Sequence, residues 1–305
     1  MMFHRLVQRS LSTTTATTAT AAKPAVQQPL SALLDQLTQE ASQGLKSPQL
    51  LQSVSQQVRD EPETFAKLPA PTLAKLAWNY AWLNQKDEDL FVKVANQVRA
   101  ADQATMVQLS WAFAANDVLR LPQIRNFFSE ATVTTLASKD KNADNFLPLL
   151  YTCVAWIQAD KQAKHLPQLL EELTGKDLSR HAPTVVSVNE KMSTQEEIGL
   201  VFRNLVMDKA VAVDVVTDND ITADVVWPAR SVVLDVVTLE EDLLKDGKEL
   251  NGQAQLKQRL LRESGWEVHT IQEHAFEAKF GTDRALTNLE QKKRWLAEHW
   301  WAPKV

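Results

Sequence analysis

Two groups of basic and aromatic residues in the C-terminal third of the chain carry the side chains best suited to hold a nucleic acid. Lysine and arginine neutralise phosphates, and tryptophan stacks on bases. The first group is spaced along one predicted helix and its end, and the second lies close to the C-terminus. We predict nucleic-acid binding at seven residues: Lys257, Arg259, Arg262, Trp266, Lys292, Lys293 and Arg294. For each group the alternative is a charged helix face that contacts only solvent.

The charge of the whole chain argues against binding that is driven by a general positive field. The 305 residues include 33 lysines and arginines against 38 aspartates and glutamates, a formal net charge of −5. Residues 208–305 alone contain 18 acidic and 13 basic residues. Because affinity for phosphates scales with the number of cations engaged, any RNA affinity must come from a local basic helix and from stacking.

No common catalytic or cofactor motif is present in the sequence. The seven glycines are too scattered for a dinucleotide fingerprint or a phosphate-binding loop. A single cysteine, Cys153, excludes an intramolecular disulfide and a multi-cysteine metal site. Of the six histidines only His269 and His274 are near each other, and they do not share a predicted helix. We expect no cofactor, no small-molecule substrate and no membrane span.

The first 28 residues have the composition of a mitochondrial transit peptide followed by a disordered linker. No acidic residue precedes Asp35, whereas Arg5 and Arg9 are basic and serine and threonine are abundant. Organellar transit peptides share this composition. The run from Arg9 to Ser12 also resembles the cleavage pattern of mitochondrial presequences. We predict a location in the mitochondrial matrix, and the alternative is a disordered tail without a targeting role.

Residues 30–178 are predicted to form an α-helical repeat domain, because apolar residues recur every three or four positions. One pattern begins at Leu73, Met106 and Phe146: a large apolar residue, an aromatic residue five positions later and a small residue three beyond that. A second apolar helix follows each copy. Helix pairs spaced by 33 and 40 residues are typical of an α-solenoid, in which each pair buries its apolar face on the next. A connecting helical segment is predicted over residues 179–207.

Residues 208–305 change period and predict a separate α/β domain. Three runs rich in β-branched residues, separated by turn-forming residues, predict strands at 210–216, 221–227 and 231–237. The helical period returns over 253–263, and Gly265 stands where a helix requires a left-handed residue. A fourth strand is predicted at 266–271 and two more helices at 273–280 and 286–300. Strands, a helix, a strand and further helices are the order of an α/β domain.

Two resemblances to known families follow from these patterns. The segments LAKLAWNYAWLN and MVQLSWAFAAND resemble the helical repeats of organellar RNA-metabolism proteins of the octotricopeptide and heptatricopeptide kind. In such repeats Trp78 and Trp111 either pack between helices, which we expect, or stack on bases. The stretch from Lys257 through Gly265 and Trp266 to Ile271 resembles the central motif of the RAP domain, a module of organellar RNA-associated proteins.

The RAP resemblance also implies a fold and a position for a degenerate catalytic site. The RAP domain is similar in fold to the restriction-endonuclease superfamily, whose metal site needs an acid on one strand and an acid-x-lysine pair on the next. Asp224 and Asp235 stand at the two acidic positions, but Val237 occupies the lysine position. Lys257 has the length to reach inward, although we expect it to form basic surface. We therefore predict that the protein is not an enzyme and binds no metal.

Together these features predict a mitochondrial RNA-binding protein that acts in RNA processing, RNA stability, ribosome assembly or translation without catalysis. Its partner is then mitochondrial rRNA or mRNA. The alternative is a non-catalytic structural subunit of a mitoribosome or respiratory complex, in which the RAP-like domain contacts protein. The acidic net charge favours this alternative.

Overall fold

The computed structural model describes residues 28–128, 192–217, 221–281 and 288–300, with isolated positions between 132 and 157. Helices make up the N-terminal part of the described chain, and a four-stranded sheet with its own helices makes up the C-terminal part. The N-terminal helices are α1 (Leu30–Ser42), α2 (Pro48–Asp60), α3 (Pro62–Ala66), α4 (Ala70–Trp82), α5 (Glu88–Gln97), α6 (Gln103–Asn116) and α7 (Pro122–Phe127). The C-terminal elements are α8 (Thr194–Val206), β1 (Ala212–Val216), β2 (Thr222–Trp227), β3 (Val232–Val237), α9 (Gly252–Glu263), β4 (Glu267–Gln272), α10 (Glu273–Phe280) and α11 (Leu289–Trp300).

The predicted helices of the N-terminal part are confirmed wherever the structure describes them. The repeated stretches that begin at Leu73 and Met106 are α4 and α6, and these two helices pack directly against each other. The helices that follow them, α5 and α7, also pack together. The third stretch, which begins at Phe146, lies largely outside the described residues, as do residues 158–191.

Tryptophans of the repeated stretches contribute to the packing between α4 and α6. Trp111 is fully buried, and the ring centroids of Trp78 and Trp111 are 4.1 Å apart. The Trp82 ring lies 6.5 Å from that of Trp78 and nearly parallel to it. Large aromatic surfaces in contact at these distances stabilise a helix interface. The expected packing role of Trp78 and Trp111 is therefore confirmed.

The four predicted strands form one mixed sheet in the order β1-β2-β3-β4. The first three strands are antiparallel neighbours, and β4 runs parallel to β3 after the crossover through α9. Alternate residues of the inner strands point to two different cores. On one face, Val225 and Leu234 contact α8, α10 and α11, and on the other Val226 and Val233 pack under Leu261 of α9.

Helix α8 belongs to the α/β unit, although its residues fall in the predicted connecting segment. A capping box at Ser193 and Glu196 begins the helix: the Glu196 backbone N–H donates to Ser193 Oγ at 3.0 Å. Ile198 and Phe202 of α8 are fully buried against the sheet. The unit thus begins by Thr194 rather than at the predicted boundary of residue 208.

Helix α9 joins the α/β unit to the N-terminal helices, because its opposite faces lie in different cores. Leu256 and Leu260 are buried among the N-terminal helices, whereas Leu261 is buried on the sheet. The helix packs against both α4 and α6. Gly265, at a φ of +91°, then reverses the chain into β4, as predicted. The two predicted domains therefore share one helix.

The first residue of α9 approaches α4 so closely that only glycine fits there. A Cβ atom at Gly252 would lie 1.9 Å from the carbonyl oxygen of Ala81, which is a rigid backbone atom. We expect Gly252→Ala to lower the free energy of unfolding by about 1–3 kcal/mol, because α9 must shift on α4. Gln253→Ala, at an exposed position in the same helical turn, should change it by less than about 0.5 kcal/mol. Urea unfolding of both variants checks this, and equal stabilities would contradict the close contact.

Candidate functional site

Three polar side chains from neighbouring strands form a row on the face of the sheet that α9 covers. Val225 of β2 pairs with Leu234 of β3, so that Asp224 and Asp235 stand opposite each other one step further along. Asp235 pairs in turn with Thr270 of β4. The register of the sheet therefore brings together the two acids that the sequence singled out.

Lys257 of α9 lies directly over this acid pair. Its Nζ atom is 3.0 and 3.1 Å from the two carboxylate oxygens of Asp224 and 2.7 Å from Oδ1 of Asp235. The expectation that Lys257 forms basic surface is corrected by this geometry: the ammonium contacts the sheet and does not project into solvent. We call Asp224, Asp235 and Lys257 the charged triad.

Further donors complete the hydrogen bonding of both carboxylates. The Val236 backbone N–H donates to Oδ2 of Asp224 at 2.7 Å. Gln258 Nε2 donates to Oδ2 of Asp235 at 2.7 Å and to Thr270 Oγ1 at 2.8 Å. Each of the four carboxylate oxygens of the triad thus accepts at least one hydrogen bond.

Gln258 is the residue of this site that sequence reasoning missed. It is 4% exposed, and one helical turn separates it from Ala254 and Leu261, which also face inward. The signal was available, since residues 254, 257, 258 and 261 share one helix face. That face contains one lysine and one glutamine, so the apolar pattern did not mark it as buried.

The triad is nearly closed to solvent, and this changes the ionisation of its members. The exposed fractions of the side chains are 12% for Asp224, 2% for Asp235 and 28% for Lys257. Burial raises the pKa of Asp224 to about 7; Lys257 acts against this rise and the Asp235 charge adds to it. For Lys257, burial opposes the ammonium, but the two carboxylates outweigh it and raise the pKa of the lysine.

Arg259 contacts the N-terminal helices from the opposite side of α9. Its guanidinium donates to the carbonyl oxygens of Ala114 and Ala115 at the end of α6. Burial lowers the pKa of Arg259, and Asp117 and Glu263 act against this decrease. A cation at the C-terminus of a helix is favourable there. Arg259 therefore stabilises the contact between the two units and is not placed in a common row with Lys257.

The other predicted RNA-binding residues of α9 and its end are arranged differently. Arg262 is exposed, and its Nη2 donates to Gln258 Oε1 at 2.9 Å, which orients the Gln258 amide toward Asp235. Trp266 is partly buried against the core that contains Val226 and Leu261. Of the three cations on α9, Lys257 and Arg259 are partly buried and Arg262 is exposed.

The second predicted basic group, at the C-terminus, separates into buried and exposed residues. Lys292 forms an ion pair with Glu197 of α8, and both side chains are 2% exposed. Lys293 pairs with Glu290 at 2.9 Å on the surface, and Arg294 is exposed. The structure therefore does not bring the seven predicted residues together on one surface.

The acid pair does not fit a divalent metal ion in this arrangement. Lys257 Nζ occupies the position between the carboxylates that a shared cation would take, and Val237 is buried in β3. Among the described residues, no three His, Cys, Asp or Glu side chains lie close enough together to hold a metal ion. No helix in the described part of the chain is long and apolar enough to cross a membrane.

Comparison with known proteins adds no family assignment: no protein-family model and no curated protein matches this chain. The resemblances to the RAP domain and to the helical repeats stay predictions.

The raised pKa of Asp224 makes a testable contribution to stability. A carboxyl whose pKa is raised on folding stabilises the native state below its unfolded pKa of about 4, and this contribution is lost as pH rises through 7. The stability of the wild type relative to Asp224→Asn should therefore fall by roughly 2–4 kcal/mol between pH 4 and pH 8. Urea unfolding of both proteins across this range provides the measurement. A difference that is constant with pH would show that Asp224 titrates normally.

Proposed function

We propose that this protein binds mitochondrial RNA and acts without catalysis in RNA processing, RNA stability, ribosome assembly or translation. One observation carries the proposal: Gly265 follows the end of α9, and Trp266 leads into β4, with Asp224 and Asp235 facing α9 from the neighbouring strands. This is the order of helix, Gly-Trp, strand and acidic strands that the RAP resemblance implies. We also propose that the N-terminal helices belong to an α-solenoid.

The charged triad supports a role without catalysis. Hydrolysis at an acid pair of this kind needs a cation that is free to bind substrate oxygens. Lys257 contacts three of the four carboxylate oxygens, and the Gln258 amide donates to the fourth, Oδ2 of Asp235. The acids therefore act as hydrogen-bonded structural groups in this proposal.

RNA contacts are best placed at the end of the sheet where β1, β3 and β4 begin. Lys209, Arg230 and Arg262 are exposed and shortly precede β1, β3 and β4, respectively. These strand starts lie at the same end of the sheet: Ala212 of β1 pairs with Val226 near the end of β2, and the Glu267 backbone N–H donates to the carbonyl oxygen of Ser231. We call these three residues the basic edge. The Arg230 guanidinium also lies 5.9 Å from the Trp227 ring, a cation and aromatic pair suited to a phosphate and a base.

Acidic residues at the same edge limit the affinity. Asp208 accepts a hydrogen bond from Trp227 Nε1 at 2.8 Å, and Glu267 contacts His269 at 2.9 Å. Their charges remain close to the three cations. We therefore expect modest RNA affinity that declines steeply with salt.

Reversing charge at Lys209 and Arg230 of the basic edge tests RNA binding and leaves in place Arg262, which bonds Gln258 beside the triad. Lys209→Glu combined with Arg230→Glu should weaken retention of mitochondrial RNA at least about tenfold at low salt and lower the salt slope by about two. Filter binding across a salt series measures both quantities. Lys279→Glu, at an exposed position of α10, is the matched control and should bind as the wild type does.

The outcome also separates the two proposed functions. If the wild type retains no RNA at low salt, the first proposal fails. The alternative, a structural subunit of a mitoribosome or respiratory complex, is favoured by the net charge of −5. Co-sedimentation of the full chain with ribosomal subunits or a respiratory complex, unchanged by ribonuclease, supports that alternative.

The proposed location in the mitochondrial matrix has its own test. Residues 1–28 fused to a fluorescent protein should direct it to mitochondria, because the segment combines arginines with an absence of acids. Replacing Arg5 and Arg9 by glutamine should abolish import, whereas replacing Thr17 and Thr18 by serine should not. Cytosolic fluorescence of the unaltered fusion would contradict the location.

A further inference from the structure

We propose that Lys257 is a built-in replacement for a divalent cation between Asp224 and Asp235. A single nitrogen lies 2.7 to 3.1 Å from three oxygens of two carboxylates on neighbouring strands. Paired carboxylates in such a position are the usual ligands of Mg²⁺ and Ca²⁺. Here the positive charge is attached to the chain. This inference concerns the architecture of the site and is independent of whether the protein binds RNA.

The requirement for a cation follows from the register of the sheet. Asp224 and Asp235 are opposite each other, and like charges in a cross-strand pair destabilise a sheet. Neither can be solvated freely, since their side chains are 12% and 2% exposed. A positive charge above the pair is therefore needed whenever both carboxylates are ionised.

Lys257 meets this requirement with an ammonium that its helix holds in place. Gln258, the next residue, bonds both Asp235 and Thr270, and Leu261 is buried on the same face. On the other face, Leu256 is buried among the N-terminal helices. An external cation would have to displace an ammonium that two packed surfaces hold over the acids. The native site should therefore not respond to divalent cations.

Removing the ammonium should convert the same acids into a metal site. In Lys257→Ala the two carboxylates keep their positions on the sheet, while the space above them opens toward the 28% exposed side of the lysine. At pH 8, about 10 mM Ca²⁺ or Mn²⁺ should raise the melting temperature of this variant by about 3–5 °C, because the ion replaces the lost positive charge of the ammonium. The wild type should change by less than about 1 °C under the same conditions.

Two controls isolate the acid pair. Asp235→Asn in the Lys257→Ala background removes one ligand charge with little change of shape and should abolish the metal response. Lys292→Ala removes an equally buried ammonium away from the acid pair and controls for the loss of a buried positive charge. Monovalent salt at matched ionic strength controls for general screening.

Several results would overturn the proposal. A metal-dependent rise of similar size in the wild type would show that the native acids bind cations beside Lys257. The lack of a rise in a folded Lys257→Ala variant would show that the pair cannot hold a metal. If Lys257→Ala does not fold with or without metal, Lys257→Gln decides, and the same 3–5 °C rise is expected of it. Mg²⁺-dependent RNA cleavage by the wild type that is lost on Lys257→Ala would assign the lysine to catalysis instead.

Discussion

Two aspartates forced together by the register of an antiparallel strand pair are the constraint on which the α/β unit depends. Asp224 and Asp235 face each other beneath a helix, where water cannot solvate them fully. The unit resolves the repulsion with a lysine from that helix. The position of α9 on the sheet is therefore determined by a charge contact as well as by apolar packing. Removing one member of such a buried group leaves the others uncompensated, at a cost of about 3–5 kcal/mol in comparable pairs.

The same helix carries this constraint into the rest of the molecule. While Lys257 and Gln258 bond the sheet, Leu256 and Arg259 contact the helices of the N-terminal part. The close approach of Gly252 to the Ala81 carbonyl fixes where α9 begins on α4. A shift of α9 along the sheet would also disturb its contacts with α4 and α6, and a shift along those helices would disturb its contacts with the sheet. The sheet and the N-terminal helices are therefore coupled through α9.

Three cations of the C-terminal part make internal contacts. Lys257 bridges two carboxylates, Arg259 bonds carbonyls at the end of α6, and Lys292 pairs with a buried glutamate. Among the described residues of this part, the exposed cations are Lys209, Arg230 and Arg262 of the basic edge, together with Lys245, Lys248, Lys279 and Arg294. A net charge of −5 is compatible with RNA binding only if such a local group is sufficient.

The sequence by itself determined the order and type of the secondary structure, because these depend on interactions between residues that are close along the chain. The strands at β1 to β4, the helix that follows Asn251 and the left-handed Gly265 were all predicted from local patterns. The acid pair was also predicted, but only through the family resemblance. What the tertiary structure alone decided is the direction of individual basic side chains. Lys257 and Arg262 are basic residues of the same helix, yet one contacts two buried acids and the other lies at the surface. Asp224 is 33 residues from Lys257 along the chain, and Glu197 is 95 residues from Lys292. Only the packing of the elements brings such partners together, because local patterns do not connect residues that far apart.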